Sequence, residues 1–105
     1  MLADKLEKLK KSELEELGDC IQIIEEATAT LAAGEDAMAY FERGSAKSEL
    51  RLHKEAIPDF TEAIRLNPTA AAYLSRSISY REIGADRLAD KDHEKYEEMK
   101  SEEGR

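Results

Sequence analysis

The residue types that most often perform catalysis or bind metals are scarce in this sequence. His53 and His93 are the only histidines, and Cys20 is the only cysteine. A zinc site needs three or four ligands at characteristic spacings. Acyl transfer needs a nucleophile, a base and a group that orients the base. The order of residues offers neither arrangement, so we predict a protein that is not an enzyme and that uses no metal and no cofactor.

Carboxylates are abundant, but their spacing does not suggest acid–base chemistry. Pairs such as Glu15-Glu16 and Glu97-Glu98 stand in strongly charged segments that are typical of solvated helix faces. Catalytic pairs instead require an enclosed pocket that drives the two pKa values apart. Glycine-rich phosphate loops and dinucleotide fingerprints are also missing from the sequence.

The single cysteine and the short apolar runs bear on the cellular compartment. Cys20 cannot form an internal disulfide, and its isoleucine-rich surroundings favour a small buried hydrophobic side chain over a reactive thiol. No apolar run reaches the roughly 18 residues of a membrane span. The N-terminal sequence MLADKLEKLKK is charged throughout, unlike a signal peptide. We therefore predict a cytoplasmic protein that does not contact a membrane.

The charge is acidic and unevenly distributed. The formal net charge is −8. Residues 19–36 contain five acidic residues and no Lys or Arg, while residues 86–105 contain eight acidic and five basic residues. Because such a surface repels phosphate backbones, nucleic-acid binding is disfavoured.

The composition favours an all-α fold. The 105 residues suit one domain. Val is absent and Phe occurs twice, which argues against a buried sheet. Ala, Leu, Glu and Lys are frequent, and all of them are good helix formers.

The segment 37–69 carries the most informative pattern. From Gly44, the distances along the sequence to Ala56, Phe60, Ala63 and Pro68 are 12, 16, 19 and 24 positions. Gly44 and Ala56 are small and let two antiparallel helices approach closely. Phe60 fills the space beside their contact. The proline stops the second helix, because the residue before a proline avoids helical geometry. This segment resembles a tetratricopeptide repeat.

The segment 70–102 repeats the pattern at a shift of 33 along the sequence. Arg43, Gly44 and Ala56 correspond to Arg76, Ser77 and Ala89. The match then weakens, since the later aromatic and small positions are occupied by His93 and Tyr96.

The segment 1–36 matches less well. Lys11–Leu14 recurs as Lys47–Leu50, a shift of 36, whereas Leu17–Asp19 resembles an inter-helix turn and implies a shift of 33. We prefer 36, because it relates more residues. The competing interpretation is one long helix from about 12 to 33 with Gly18 inside it. The preferred interpretation predicts helices at about 2–15, 18–33, 37–50, 53–66, 70–83 and 86–101.

The resemblance implies a stack of helical hairpins in one domain, residues 1–105. Three tetratricopeptide-like units, about 1–36, 37–69 and 70–102, would form a short right-handed superhelix with a degenerate first unit. The residues expected to support the packing are Gly44, Ala56, Phe60, Ala63, Pro68 and Ala89. The first helix of each unit would line a concave groove, with Leu6, Leu9, Met38, Phe41, Glu42, Leu74, Ile78 and Arg81 as ligand-binding residues.

By this resemblance, the chain should be a scaffold that binds an apolar peptide or helix of another protein. The alternative is self-association through the same apolar face, giving a homodimer. We expect Phe41 and Leu74 to anchor the ligand and Arg81 to pair with an acidic group. Since arginines lie on the groove helices, the groove should prefer a neutral or mildly acidic segment.

Overall fold

Residues 9–104 are described by the computed structural model, and within this range the chain is helical, without β-strands. The all-α fold class predicted from composition is confirmed. The five helices are α1 (Lys11–Ala33), α2 (Ala37–Glu49), α3 (His53–Leu66), α4 (Ala70–Glu82) and α5 (Asp86–Glu103). Each helix packs against its neighbours in sequence, and α2 also touches α4. Among the described residues, no helix is both long and apolar enough to cross a membrane.

Helix α1 runs without a break from Lys11 to Ala33, so the predicted interruption between residues 15 and 18 is wrong. Gly18 lies inside the helix at an exposed position. One glycine costs a helix only about 1 kcal/mol relative to alanine, and the flanking Leu and Glu residues propagate it. The alternative of one long helix is correct. Of the helix expected at 2–15, residues 1–8 lie outside the described part of the chain.

The starts of α2 and α4 are fixed by side-chain caps. The Asp36 carboxylate accepts a hydrogen bond from the Ala39 amide at 2.9 Å, and the Thr69 hydroxyl accepts one from the Ala72 amide at 3.1 Å. Such caps satisfy backbone donors that have no partner within the helix. Between α4 and α5, Gly84 adopts a φ of 81°, a left-handed conformation that glycine accommodates without strain.

The crossing of α2 and α3 leaves no space at Gly44. A methyl group built there would lie 2.9 Å from two ring carbons of Phe60. Phe60 is itself buried, together with Ala56 and Ala63 on α3. At the crossing of α4 and α5, Ser77 takes the place of the glycine. The packing residues expected from the sequence are thus buried, except Pro68, which is exposed just after α3.

The Ser77 hydroxyl donates a hydrogen bond to the carbonyl of Ala89 at 3.0 Å, and both residues are buried. This hydrogen bond ties α4 to α5 at the point where α2 and α3 meet through glycine and an aromatic ring. A hydroxyl group can occupy the second crossing because the carbonyl oxygen opposite it satisfies its donor.

A buried Arg–Asp pair joins the helices of each hairpin. Arg43 Nε and Nη2 donate to the two carboxylate oxygens of Asp59 at 2.9 and 2.7 Å. Arg76 donates in the same way to Asp92 at 2.7 and 2.8 Å. Hydrogen bonding to the carboxylates raises the pKa of both guanidinium groups. Because both carboxylates are buried, each needs a cationic partner to offset its desolvation. Asp59 has a second one, since Lys47 Nζ lies 3.0 Å from its Oδ2.

The same two arginines also contact the preceding hairpin or helix. Arg43 Nη1 donates to Thr28 Oγ1 at 3.3 Å, and Arg76 Nη1 donates to Thr61 Oγ1 at 3.2 Å. Thr28 in the first contact corresponds to Thr61 in the second. The end of α1 is therefore related to α3 by a shift of 33 positions. The preferred shift of 36 does not describe this part of α1. The hydrogen bonds between helices set how α1 corresponds to α3. The sequence similarity between residues 11–14 and 47–50 is not accompanied by an equivalent hydrogen bond.

Replacing a glycine by alanine should have opposite effects at two positions. Alanine improves helix propensity by about 1 kcal/mol. At Gly44 the added methyl must displace the buried Phe60 ring, and such overpacking costs about 1–3 kcal/mol. Thermal and urea unfolding should therefore show that Gly44→Ala lowers stability. Gly18→Ala meets no atom of the described residues within 4 Å and should raise stability. Equal shifts in both variants would contradict the close approach.

Arg-to-Lys substitutions should distinguish the contribution to stability of the buried Arg76–Asp92 pair from that of an exposed pair on the same helix. Arg76 forms two hydrogen bonds with Asp92 and lies over the rings of Tyr73 and Tyr80, with distances of 5.7 and 5.6 Å to the ring centroids. Lysine cannot reproduce this planar geometry. We expect Arg76→Lys to lower the free energy of unfolding, measured in urea, by about 1–3 kcal/mol.

The control is Arg81→Lys, because the partner of Arg81 is the exposed Asp90. Ion pairs in water contribute little to stability, so this variant should unfold at nearly the same urea concentration as the parent. Similar losses in both variants would show that the buried pair has no special role.

Candidate protein-binding groove

Helices α2 and α4 lie side by side and form a shallow surface with apolar side chains along it. Met38 and Ile78 are 63% and 50% exposed, which is high for large apolar residues. Near the start of both helices, Met38, Phe41 and Ala71 border an apolar cavity of about 220 Å³. Further along, Ser45 and Ser75 border a second depression beside Ile78. The structure thus brings residues of α2 and α4 onto one surface.

The predicted groove residues do not all lie on this surface. Leu6 is outside the described residues. Leu9 is half-buried beside the N-terminal half of α1, next to Cys20 and Glu49. Leu74 is half-buried on α4. Arg81 is bound to α5, where its Nη2 donates to Asp90 at 2.9 Å. Of the predicted groove residues, Met38, Phe41 and Ile78 border the α2–α4 surface, whereas Glu42 borders a depression between α1 and α2.

Phe41 belongs partly to the hydrophobic core. Its ring packs against that of Phe60, with centroids 5.9 Å apart and planes inclined by 53°. Phe41 itself is half-buried, whereas Phe60 is only 1% exposed. A substitution at Phe41 would therefore disturb both the core and the groove. Met38 and Ile78 report on the groove alone.

The charges along the groove differ from those expected. The guanidinium groups of Arg43 and Arg76 are engaged by buried aspartates, and that of Arg81 by Asp90. Within residues 9–104, Glu42 and Glu49 have no ion-pair partner. The expected preference for a neutral or mildly acidic ligand relied on arginines that the structure shows to be occupied.

A third depression, between α1 and α2, was not predicted from the sequence. It has a volume of about 360 Å³ and lies between Ile23 of α1 and Phe41, Ser45 and Glu49 of α2. The helix expected at 2–15 would have packed in this region and filled the depression. The sequence signal is Ile23 itself, a large residue that stands 33 positions before Ala56, where a helix crossing requires a small one.

The two histidines occupy structural and surface positions. His53 Nδ1 lies 3.3 Å from Ser48 Oγ and 3.5 Å from the hydroxyl of the buried Ser79. His93 lies on α5, where its Nε2 is 3.3 Å from Glu97. In the part of the chain that is described, no group of three or more His, Cys, Asp or Glu residues could hold a metal ion.

Comparison with known proteins adds no assignment. Neither a protein-family model nor a curated protein sequence matches this chain.

Cys20 is buried on α1, as its apolar surroundings suggested, and is 4% exposed. Its thiol donates a hydrogen bond to Glu49 Oε2 of α2 at 3.2 Å. Burial, followed by this hydrogen bond and the charge of Glu49, raises the pKa of the thiol to about 11. The stability that results is present below the ordinary thiol pKa and is lost as pH rises towards 11.

Alkylation of Cys20 by iodoacetamide should be slow in the folded protein. With a pKa of about 11, only about 0.1% of the thiol is ionised at pH 8, and the thiolate is the reactive form. The labelling rate, followed by mass spectrometry, should rise about tenfold per pH unit up to pH 10. Glu49→Gln should accelerate labelling at pH 8, because it removes the negative charge beside the thiol. Glu42→Gln on the same helix is the control and should not. Rapid labelling of the parent protein would contradict the buried hydrogen-bonded thiol.

Proposed function

We propose that this chain is a non-catalytic scaffold that binds another protein by holding an apolar segment in the groove between α2 and α4. The observation that carries this proposal is the exposure of Met38 and Ile78 on adjacent helices, bordering two depressions of one surface. Large apolar side chains that remain in water on a preformed concave surface are typical of protein-binding sites.

We further propose that the two hairpins are tetratricopeptide-like units. Three contacts support this assignment, because each recurs at the same shift of 33: the helix cap, the buried Arg–Asp pair and the arginine–threonine hydrogen bond. In such an arrangement the first helices of successive units stand side by side, as α2 and α4 do here. Their shared surface is where the ligand would lie.

The rigidity of this surface supports a role in recognition. Arg43 and Arg76 anchor α2 and α4 to the following helices through paired hydrogen bonds. Arg76 Nη1 also donates to Thr61 Oγ1 of α3, so α3 contacts both helices that form the groove. Because these contacts hold its walls, the groove is formed before a ligand arrives. A preformed site reduces the entropic cost of association. We propose a cytoplasmic location, where the free Cys20 thiol would stay reduced.

Self-association through the same apolar surface is the alternative function. The exposed Met38 and Ile78 would serve either purpose. The net charge of −8 opposes the approach of two copies. Sedimentation equilibrium separates the two functions: a monomer at micromolar concentration supports the scaffold, and a tight dimer supports the alternative.

Peptides selected from a displayed random library with the intact chain as bait should test the groove. We expect apolar segments with dissociation constants in the micromolar range, about −8 kcal/mol. Met38→Ser and Ile78→Ser should each weaken binding about tenfold or more, because each apolar side chain buried in a complex contributes about 1.5–3 kcal/mol. Fluorescence anisotropy with a labelled peptide measures this loss.

Leu88→Ser is the matched control for Ile78→Ser. Leu88 is 48% exposed on α5, close to the 50% of Ile78, but lies away from α2. Both variants should lose a similar and small part of their melting temperature, because each side chain is already about half exposed to water. If Leu88→Ser weakens peptide binding as much as Ile78→Ser, or if neither groove variant weakens it, the groove is not the binding site.

A further inference from the structure

Helices α3 and α5 each bury one face against the helix that precedes them. On α3 this face includes Ala56 and Asp59, which are 0% and 3% exposed. On α5 the corresponding residues of the next repeat are Ala89 and Asp92, at 0% and 5%. In both cases an arginine of the preceding helix binds the aspartate.

Helix α1 presents the same face to solvent. The contact between Arg43 and Thr28 relates α1 to α3 by the shift of 33 that also relates α3 to α5. This shift places Ile23, Glu26 and Thr30 at the positions of Ala56, Asp59 and Ala63. Ile23 is 39% exposed, and the other two α1 residues are exposed as well. No helix within residues 9–104 covers this face, because α1 is the first helix in that range.

The carboxylate on this face lacks the arginine that its counterparts have. Within residues 9–104, Glu26 accepts a side-chain hydrogen bond only from Gln22 of its own helix, at 3.0 Å. Two further carboxylates without an ion-pair partner in this range, Glu42 and Glu49, border the adjoining depression beside Ile23. An apolar residue is thus surrounded by three negative charges on the surface where a helix would fit.

We infer that this face of α1, with the adjoining edge of α2, binds an amphipathic helix of another protein that carries Arg or Lys beside an apolar stripe. The inference rests on the proposed scaffold function but concerns a different surface from the α2–α4 groove. A basic residue of the partner occupies the position relative to Glu26 that Arg43 occupies relative to Asp59. Further basic residues face Glu42 and Glu49.

Charge complementarity selects this occupant over a second copy of the chain. Residues 19–36 hold five acidic residues and no basic one, so two copies meeting through α1 would bring like charges together. The helices that cover α3 and α5 have 13 residues each and carry a small residue next to the arginine, Arg43-Gly44 and Arg76-Ser77. The bound helix should therefore be about three turns long, with Gly, Ala or Ser beside its basic residue.

The sequence of α2 provides a defined probe, because α2 covers the equivalent face of α3. We would use a helix-stabilised, fluorescent peptide of residues 36–50 in which Glu42 and Glu49 are both changed to Lys. Anisotropy titration against the full chain should show saturable binding. The peptide without the two lysine substitutions should bind at least about tenfold more weakly.

Two charge reversals on neighbouring residues of α1 provide the test. Glu26→Arg should weaken binding of the lysine-containing probe at least tenfold, since it places a cation against the arginine of the probe. Glu25→Arg alters the net charge equally but lies on a different side of the helix, and should change binding less than twofold. A probe whose Arg43 is replaced by Glu should bind the Glu26→Arg variant better than it binds the parent chain.

The outcomes separate this inference from the proposed groove. If the probe does not bind, or binds the Glu26→Arg and Glu25→Arg variants alike, the inference is wrong. If Ile78→Ser abolishes probe binding and Glu26→Arg does not, the probe lies in the α2–α4 groove, so the groove proposal stands and this one fails. If the parent chain sediments as a dimer that Glu26→Arg dissociates, the occupant is a second copy. Loss of probe binding in Glu26→Arg alone, with retention in Ile78→Ser, supports the inference even if the groove peptides fail.

Discussion

The close approach of paired helices is the constraint on which the structure depends. At the crossing of α2 and α3, the backbone at Gly44 lies against the ring of Phe60, with no space for a side chain. Such contact fixes the distance between the helices but not their rotation or register. The buried pair of Arg43 and Asp59 fixes the rotation and register of the two helices. Any other register would leave the carboxylate unpaired at this depth, which would cost several kcal/mol.

The thinness of the hydrophobic core follows from this close packing. Most of the buried apolar residues are alanines, and Phe60 is the only large apolar side chain that is almost completely buried among the described residues. Small residues bring helices together without filling a wide interior. Larger apolar side chains such as Met38 and Ile78 are consequently left at the surface. The features that make the hairpins compact are therefore the same ones that leave apolar surface available for a partner.

The uninterrupted α1 explains why the two ends of the chain differ. At the C-terminal end, α5 is covered by α4 at Ala89 and Asp92 and exposes its other charged residues. On α1, no preceding helix within residues 9–104 covers Ile23 and Glu26. Had the helix broken near Gly18, its first half could have turned back over this face. The choice between one long helix and two short ones thus determines whether the acidic face is covered.

The sequence by itself determined the all-α class, the bounds of α2 to α5 within a few residues, and the burial of Gly44, Ala56 and Phe60. Helix propensity and the spacing of small residues depend only on nearby residues, so the sequence alone predicts the helices and their close contacts. Only the tertiary structure decided whether α1 is continuous, because a single glycine shifts that balance by about 1 kcal/mol. It also decided which charges remain available. Arg81 and Glu42 are equally plausible groove residues in a sequence. In the structure Arg81 binds Asp90 across a helix pair, and Glu42 borders the depression between α1 and α2. Those positions depend on distances that the order of residues does not specify.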